Sequence, residues 1–91
     1  MVISSRRSEF EIIRDILIAS FDGAKKTHIL YRTNLSYSQL QDYLSFLIKA
    51  GVVEAIKKGS SEIYRITEKG KELLNHIEGA IYCLKGQSKT L

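Results

Sequence analysis

The stretch Asn34–Gly51 constrains this chain most, because both of its ends are marked. Ser36 is a good N-cap, and Gln39 three positions later completes a capping box, each side chain reaching the other's backbone N–H. Gly51 stands where a glycine in the left-handed conformation closes a helix. Between these marks Leu40, Tyr43, Leu44, Leu47 and Ile48 recur at helical spacing and make one apolar stripe. The far side carries Ser38, Asp42, Ser45 and Lys49, with Gln41 beside them. That face is small or hydrogen-bonding and has no net charge, whereas a solvated face is ordinarily richer in Lys and Glu. Such side chains suit close approach to base edges in a major groove. The plainer reading is a surface helix with no special role, and the flanking segments have to decide between the two.

At 91 residues the chain has room for one domain with a modest core. No apolar run approaches the length needed to span a bilayer, so no membrane partner is expected. The opening residues, Met-Val-Ile-Ser-Ser-Arg-Arg, lack a signal peptide's apolar core. The single cysteine, Cys83, cannot build a disulfide framework, and together these features predict a cytoplasmic protein. A net charge of +4 and a pI of about 9.3 lean toward a polyanionic partner without being diagnostic.

Residues 1–7 are expected to form a flexible tail carrying Arg6 and Arg7. Ser8 and Glu11 make a second capping box, opening a helix that runs to about Phe21. Its apolar residues, Phe10, Ile12, Ile13, Ile16, Leu17, Ile18 and Phe21, make a stripe wider than one-sided packing needs. That width predicts burial against the domain's own core and against a second subunit. Asp22-Gly23 ends the helix, and Ala24 to Thr33 reads as a short second helix with Ile29 and Leu30 inward and Lys25, Lys26 and Arg32 outside. Asn34 can take the left-handed turn conformation. Helix, tight turn, helix is the layout in which the second helix reads DNA.

After Gly51 the period changes. Residues 52–57 and 62–66 read as strands joined by the turn Lys58-Gly59-Ser60-Ser61. Such a hairpin either covers the core or serves as a basic wing, and Lys57 and Lys58 near its tip favour phosphate contact. Thr67 caps a last helix, with Glu68 and Glu72 in its first turns as the helix dipole prefers. Leu73, Ile77, Ala80 and Leu84 follow in steps of 4, 3 and 4, matching heptad a and d positions over less than two heptads.

The order and wording of these elements resemble the small archaeal winged-helix DNA-binding proteins and transcription regulators over roughly residues 8–84. The matching words are Asn34-Leu35-Ser36-Tyr37, Tyr43-Leu44 with Leu47, Gly51-Val52-Val53, and Tyr64-Arg65-Ile66-Thr67-Glu68-Lys69-Gly70 on the way out of the wing. The resemblance implies an α+β, mainly α fold: a winged helix-turn-helix of three helices, a two-stranded wing and a C-terminal dimerisation helix. The domain would span 8–66, the dimerisation helix 67–85, and a frayed tail 86–91. Members of one such group look like homodimers joined through that helix.

The leading expectation is therefore a sequence-specific binder of double-stranded DNA that regulates transcription. Ser38, Gln41, Asp42 and Ser45 are the candidates for base reading, Gln41 pairing with adenine and Asp42 accepting from cytosine N4. Candidates for phosphate contact are Arg6, Arg7, Lys25, Lys26, Arg32, Tyr37, Lys49, Lys57, Lys58 and Ser60. The expected dimer interface is Phe10, Ile13, Leu17, Leu73, Ile77, Ile81 and Leu84, with Ile77 most central. The alternative is a winged helix used as a protein-interaction module, for which Phe46, off the main apolar stripe, is the marker. No enzyme, metal, cofactor or small-molecule substrate is expected. His76 and Cys83 share a helix face, but two ligands do not make a zinc site, and His28 is distant in sequence. The chain contains no P-loop, dinucleotide glycine pattern or nucleophile elbow.

Overall fold

The computed structural model describes the backbone of residues 8–90 and the side chains of residues 8–84. The elements in chain order are α1 (Glu9–Ala19), β1 (Ala24–Lys25), α2 (Lys26–Thr33), α3 (Tyr37–Lys49), β2 (Val53–Lys58), β3 (Ser61–Ile66) and α4 (Glu68–Thr90). Both capping boxes form. The Ser8 hydroxyl accepts from Glu11 N–H at 3.2 Å, and the Ser36 hydroxyl accepts from Gln39 N–H at 3.1 Å. Each N3 side chain accepts in return from its cap's backbone N–H. The turn between α2 and α3 is closed by Asn34 in the left-handed region at φ 58°, and Gly51 follows α3 at φ 82°.

The sheet has three strands, where the sequence predicted a two-stranded wing. Its order is β1-β3-β2, all antiparallel, with Ala24 opposite Tyr64 and Val53 opposite Ile66. Ala24 and Lys25, expected to begin the second helix, are extended instead and bond to the outer edge of β3. That pairing satisfies backbone groups at the start of the segment, so α2 begins at Lys26. The first helix also stops earlier than expected, at Ala19. The Ser20 hydroxyl turns back to donate to the Ile16 carbonyl at 2.9 Å, and the Ser20 carbonyl accepts from Ile66 N–H at 3.0 Å.

The core joins Ile16 and Leu17 of α1, Ile29 of α2, and Leu40, Leu44 and Leu47 of α3 to Val52, Val53, Tyr64 and Ile66 of the sheet side. Among the described residues no buried side-chain polar atom lacks a hydrogen bond. The two buried polar side chains, Ser20 and Thr33, each donate to a carbonyl one helical turn back. No described helix is long and apolar enough to cross a membrane.

The exit from the wing explains its own sequence. Thr67 N–H donates to the Val52 carbonyl at 3.0 Å, and the Thr67 hydroxyl donates to the Gly51 carbonyl at 2.7 Å. The same hydroxyl accepts from Gly70 N–H at 3.0 Å, which caps α4. Gly70 is a glycine because α4 lies directly on residue 52. A Cβ there would overlap the Val52 carbonyl oxygen and come within 2.6 Å of Ile66 Cγ1.

Two positions expected at a dimer interface belong to the monomer's interior. Leu17 is 0 % exposed and Ile77 4 %. Much of the wide stripe of α1 is covered by α2 on one side and α4 on the other, both from the same chain. What stays exposed is Phe10 and Ile18 on α1, Phe21 just after it, and Tyr82 and Leu84 far along α4, with Ile13, Leu73 and Ile81 half-buried. The last helix is 23 residues long and reaches Thr90, through the positions expected to fray.

Candidate nucleic-acid interface

Three leucines set the orientation of α3. Leu40, Leu44 and Leu47 are buried to 1 % exposure or less, which forces the opposite side of the helix outward. Ser38, Gln41, Asp42, Ser45 and Lys49 are accordingly all exposed. They do not form one uniform surface. Asp42 lies toward α1, where it lines a shallow groove of about 370 Å³ with Glu9, Ile13, Gln39, Tyr43 and Phe46. Gln41 lies on the other flank, toward the start of α2 and the base of the wing.

On that flank Lys26 is held from several directions. Its ammonium donates to Gln41 Oε1 at 2.5 Å and to the Tyr37 hydroxyl at 3.4 Å. It also sits 5.1 Å from the Tyr37 ring centroid and 5.8 Å from that of Tyr64, within cation–π range of both. Lys26, a candidate for phosphate contact, is half-buried and bridges α2, α3 and β3. The Tyr64 hydroxyl donates to Glu62 Oε1 at 3.2 Å. Burial raises the Tyr64 pKa above its ordinary 10.0, with Glu62 adding to the effect and Lys26 opposing it, so the phenol stays protonated as that donor. Tyr64 and Glu62 were not among the site candidates read from the sequence. Their partner Lys26 lies in a distant segment, and no local period reports such a contact.

The hairpin beyond the core is a projecting arm. In β2 Val53 is buried, while the residues toward the tip are mostly exposed. Lys57 pairs with Glu62 across the ladder and Lys58 with Ser61, and Gly59 turns the chain at φ 61°. Lys57, Lys58 and Ser60 are all exposed there, as are Lys25, Arg32 and Lys49 elsewhere; Tyr37 is 61 % exposed despite its contact with Lys26. Arg6 and Arg7 lie outside the described residues. The ion pair of Arg65 with Glu54, at 3.3 Å on the sheet's outer face, joins side chains about half exposed, and such pairs contribute little to stability. Among the described residues no three His, Cys, Asp or Glu side chains come together as metal ligands would.

Comparison with known proteins places this geometry in context. The family model for winged helix-turn-helix proteins matches residues 6–85. An uncharacterized protein of Methanocaldococcus jannaschii is 36% identical over 73 residues, which is 79% of this chain and 71% of the relative. Among solved structures, Sso10a-2, a DNA-binding protein from Sulfolobus solfataricus, matches with a TM-score of 0.83 at 33% identity, covering 92% of this chain and 88% of that one. AF1382 from Archaeoglobus fulgidus matches with a TM-score of 0.68 at 24% identity over 84% of this chain and 86% of its own, a likeness of fold.

Proposed function

The chain belongs to the winged helix-turn-helix family, and from that premise we propose that it binds double-stranded DNA sequence-specifically, as a homodimer, and regulates transcription. One observation carries the reading. The leucines of α3 lock one side of that helix into the core, and the side left outward is short and polar, with cations on either flank. The likeness to the Sulfolobus solfataricus DNA-binding protein supports the same conclusion.

In this mechanism α3 enters the major groove and Ser38, Gln41, Asp42 and Ser45 approach base edges. Lys25, Arg32, Tyr37, Lys49, Lys57, Lys58 and Ser60 contact phosphates and set the register. Asp42 repels phosphate, so it discriminates between sequences and adds no raw affinity. A second copy docks along the outer part of α4, covering Ile81, Tyr82 and Leu84 together with Phe10, and presents its own α3 about 34–36 Å away, one helical turn of DNA.

The test is binding of the protein to duplex DNA as a function of salt. We expect log affinity to fall linearly with log salt concentration, and an absence of binding at low salt would overturn the proposal. That outcome would favour the other reading of the fold, a protein-interaction module. Its supporting observation is Phe46, 61 % exposed on the rim of the α1/α3 groove.

The wing has a separate expected result. Lys57 and Lys58 are flexible point charges, suited to phosphate and poor at bidentate base reading. Replacing both with Ala should weaken binding about equally on all duplexes. The slope of log affinity against log salt should drop by roughly one to two, since each phosphate contact contributes about 0.9. An unchanged slope would remove the wing from the DNA.

A further inference from the structure

Gln41 and Lys26 are fifteen positions apart, yet they meet at hydrogen-bond distance beside the outward face of α3. The chemistry of the pair fixes which way the amide faces. An ammonium has three donors and no acceptor, so the amide atom at 2.5 Å from Lys26 Nζ must be oxygen. The two ends of a glutamine amide are otherwise hard to tell apart, but a donor-only neighbour leaves no choice. The lysine also has two aromatic neighbours. The rings of Tyr37 and Tyr64 flank it at 5.1 and 5.8 Å, and Tyr64 is buried at the base of the wing.

Adenine is the usual partner of glutamine. Its recognition requires the amide oxygen to accept from the adenine amino group while the amide nitrogen donates to N7. Here one lone pair of the oxygen already accepts from an ammonium, so an incoming adenine amino group would have to approach the remaining lone pair beside a full positive charge. Guanine presents two acceptors on the same edge, N7 and O6, and cytosine presents an amino donor. A surface made of the Gln41 Nε2 donors, an unused N–H of Lys26 and its positive charge fits the two guanine acceptors better than the amino donor of adenine or cytosine.

We propose that Lys26 and Gln41 act as one cationic, donor-rich surface that selects guanine at a single position of the bound duplex. The proposal rests on the reading of α3 as the base-reading helix. Within it Lys26 has two roles: it holds the amide in one orientation and supplies a second donor.

The experiment is a selection of bound sequences from a random duplex pool, run with the wild-type protein, Gln41→Ala and Lys26→Met. Methionine keeps an unbranched apolar stem between the two rings and removes the donor. We expect guanine at the position whose preference Gln41→Ala erases. Changing that guanine to adenine should weaken wild-type binding roughly ten- to hundredfold. With Lys26→Met the amide is free to rotate, and adenine should bind within a few-fold of guanine. A Gln41-dependent position that is adenine in the wild-type selection would overturn the proposal while leaving α3 as the reader. A Gln41→Ala protein with an unchanged preference at every position would overturn both. A second measurement needs no lysine variant: 7-deazaguanine at the selected position, which lacks the N7 acceptor, should weaken wild-type binding several-fold and leave Gln41→Ala binding unaffected. Equal affinity of the wild type for guanine and 7-deazaguanine duplexes would also overturn it.

Discussion

Gly70→Ala is expected to destabilise the domain by about 3 kcal/mol or more, although it adds one methyl group to a helix and improves helix propensity. The added carbon has nowhere to go. It would overlap the Val52 carbonyl oxygen, and that oxygen already accepts the Thr67 N–H at 3.0 Å. The neighbour is main chain, so no rotamer change relieves the clash. Residues 51–52 and the first turn of α4 have to separate. That movement strains the bond from the Thr67 hydroxyl to the Gly51 carbonyl and the cap from the same hydroxyl to Gly70 N–H. For a domain of this size such a loss corresponds to a drop in Tm of roughly 10–20 °C. Gly79 on the same helix provides the control, since nothing lies within 4 Å of a Cβ built there. Gly79→Ala should raise stability by roughly 0.5–1 kcal/mol from propensity alone. Thermal unfolding of the two variants followed by circular dichroism checks both signs. A Gly70→Ala protein as stable as the wild type would show that α4 is not seated on Val52.

Ile77→Glu is expected to have the other large effect, and to act on the monomer. Ile77 is 4 % exposed and belongs to the helix that packs on α1. Truncating a buried isoleucine alone costs about 2–5 kcal/mol. A glutamate there adds either an uncompensated charge or an enforced protonation, and the total approaches the entire stability of a small domain, about 5–15 kcal/mol. Leu84 is on the same helix but 80 % exposed. Leu84→Glu should leave the melting of secondary structure at low concentration unchanged and shift the molecular mass in sedimentation from two chains to one. A wild-type protein that sediments as a monomer at micromolar concentration would count against the homodimer. A Leu84→Glu protein that remains dimeric would move the interface elsewhere.

The features legible in the sequence are those whose chemistry is local. A capping box is written within four residues, so Ser8 with Glu11 and Ser36 with Gln39 are visible before any fold is known. Asn34 and Gly51 are legible for the same reason: each sits where the backbone needs a left-handed residue. β1 was not legible, because two residues are too few to show a strand period and their partners, Ile63 and Tyr64, are far along the chain. The contact of Lys26 with Gln41 has the same difficulty. A lysine at the start of a helix looks like a solvated charge until the wing closes over it. Leu17 and Ile77 were misassigned for a different reason. The apolar circumference of α1 gives the area that must be covered but does not say by which chain, and α4 from the same chain covers much of it.

The attachment of α4 to the end of α3 has a mechanical consequence. Thr67 ties the base of α4 to the carbonyls of Gly51 and Val52, immediately after α3 ends. The helix then extends for 23 residues, about 35 Å at 1.5 Å per residue, and its packing on α1 makes it a rigid arm fixed to the end of α3. A change of about 10° in its direction moves a point at its far end by roughly 6 Å, close to the rise of two base pairs. In the proposed mode of binding, whatever grips the far end of α4 sets the angle at which α3 is offered to DNA, and the rigid attachment would make the separation of two joined α3 helices a fixed ruler.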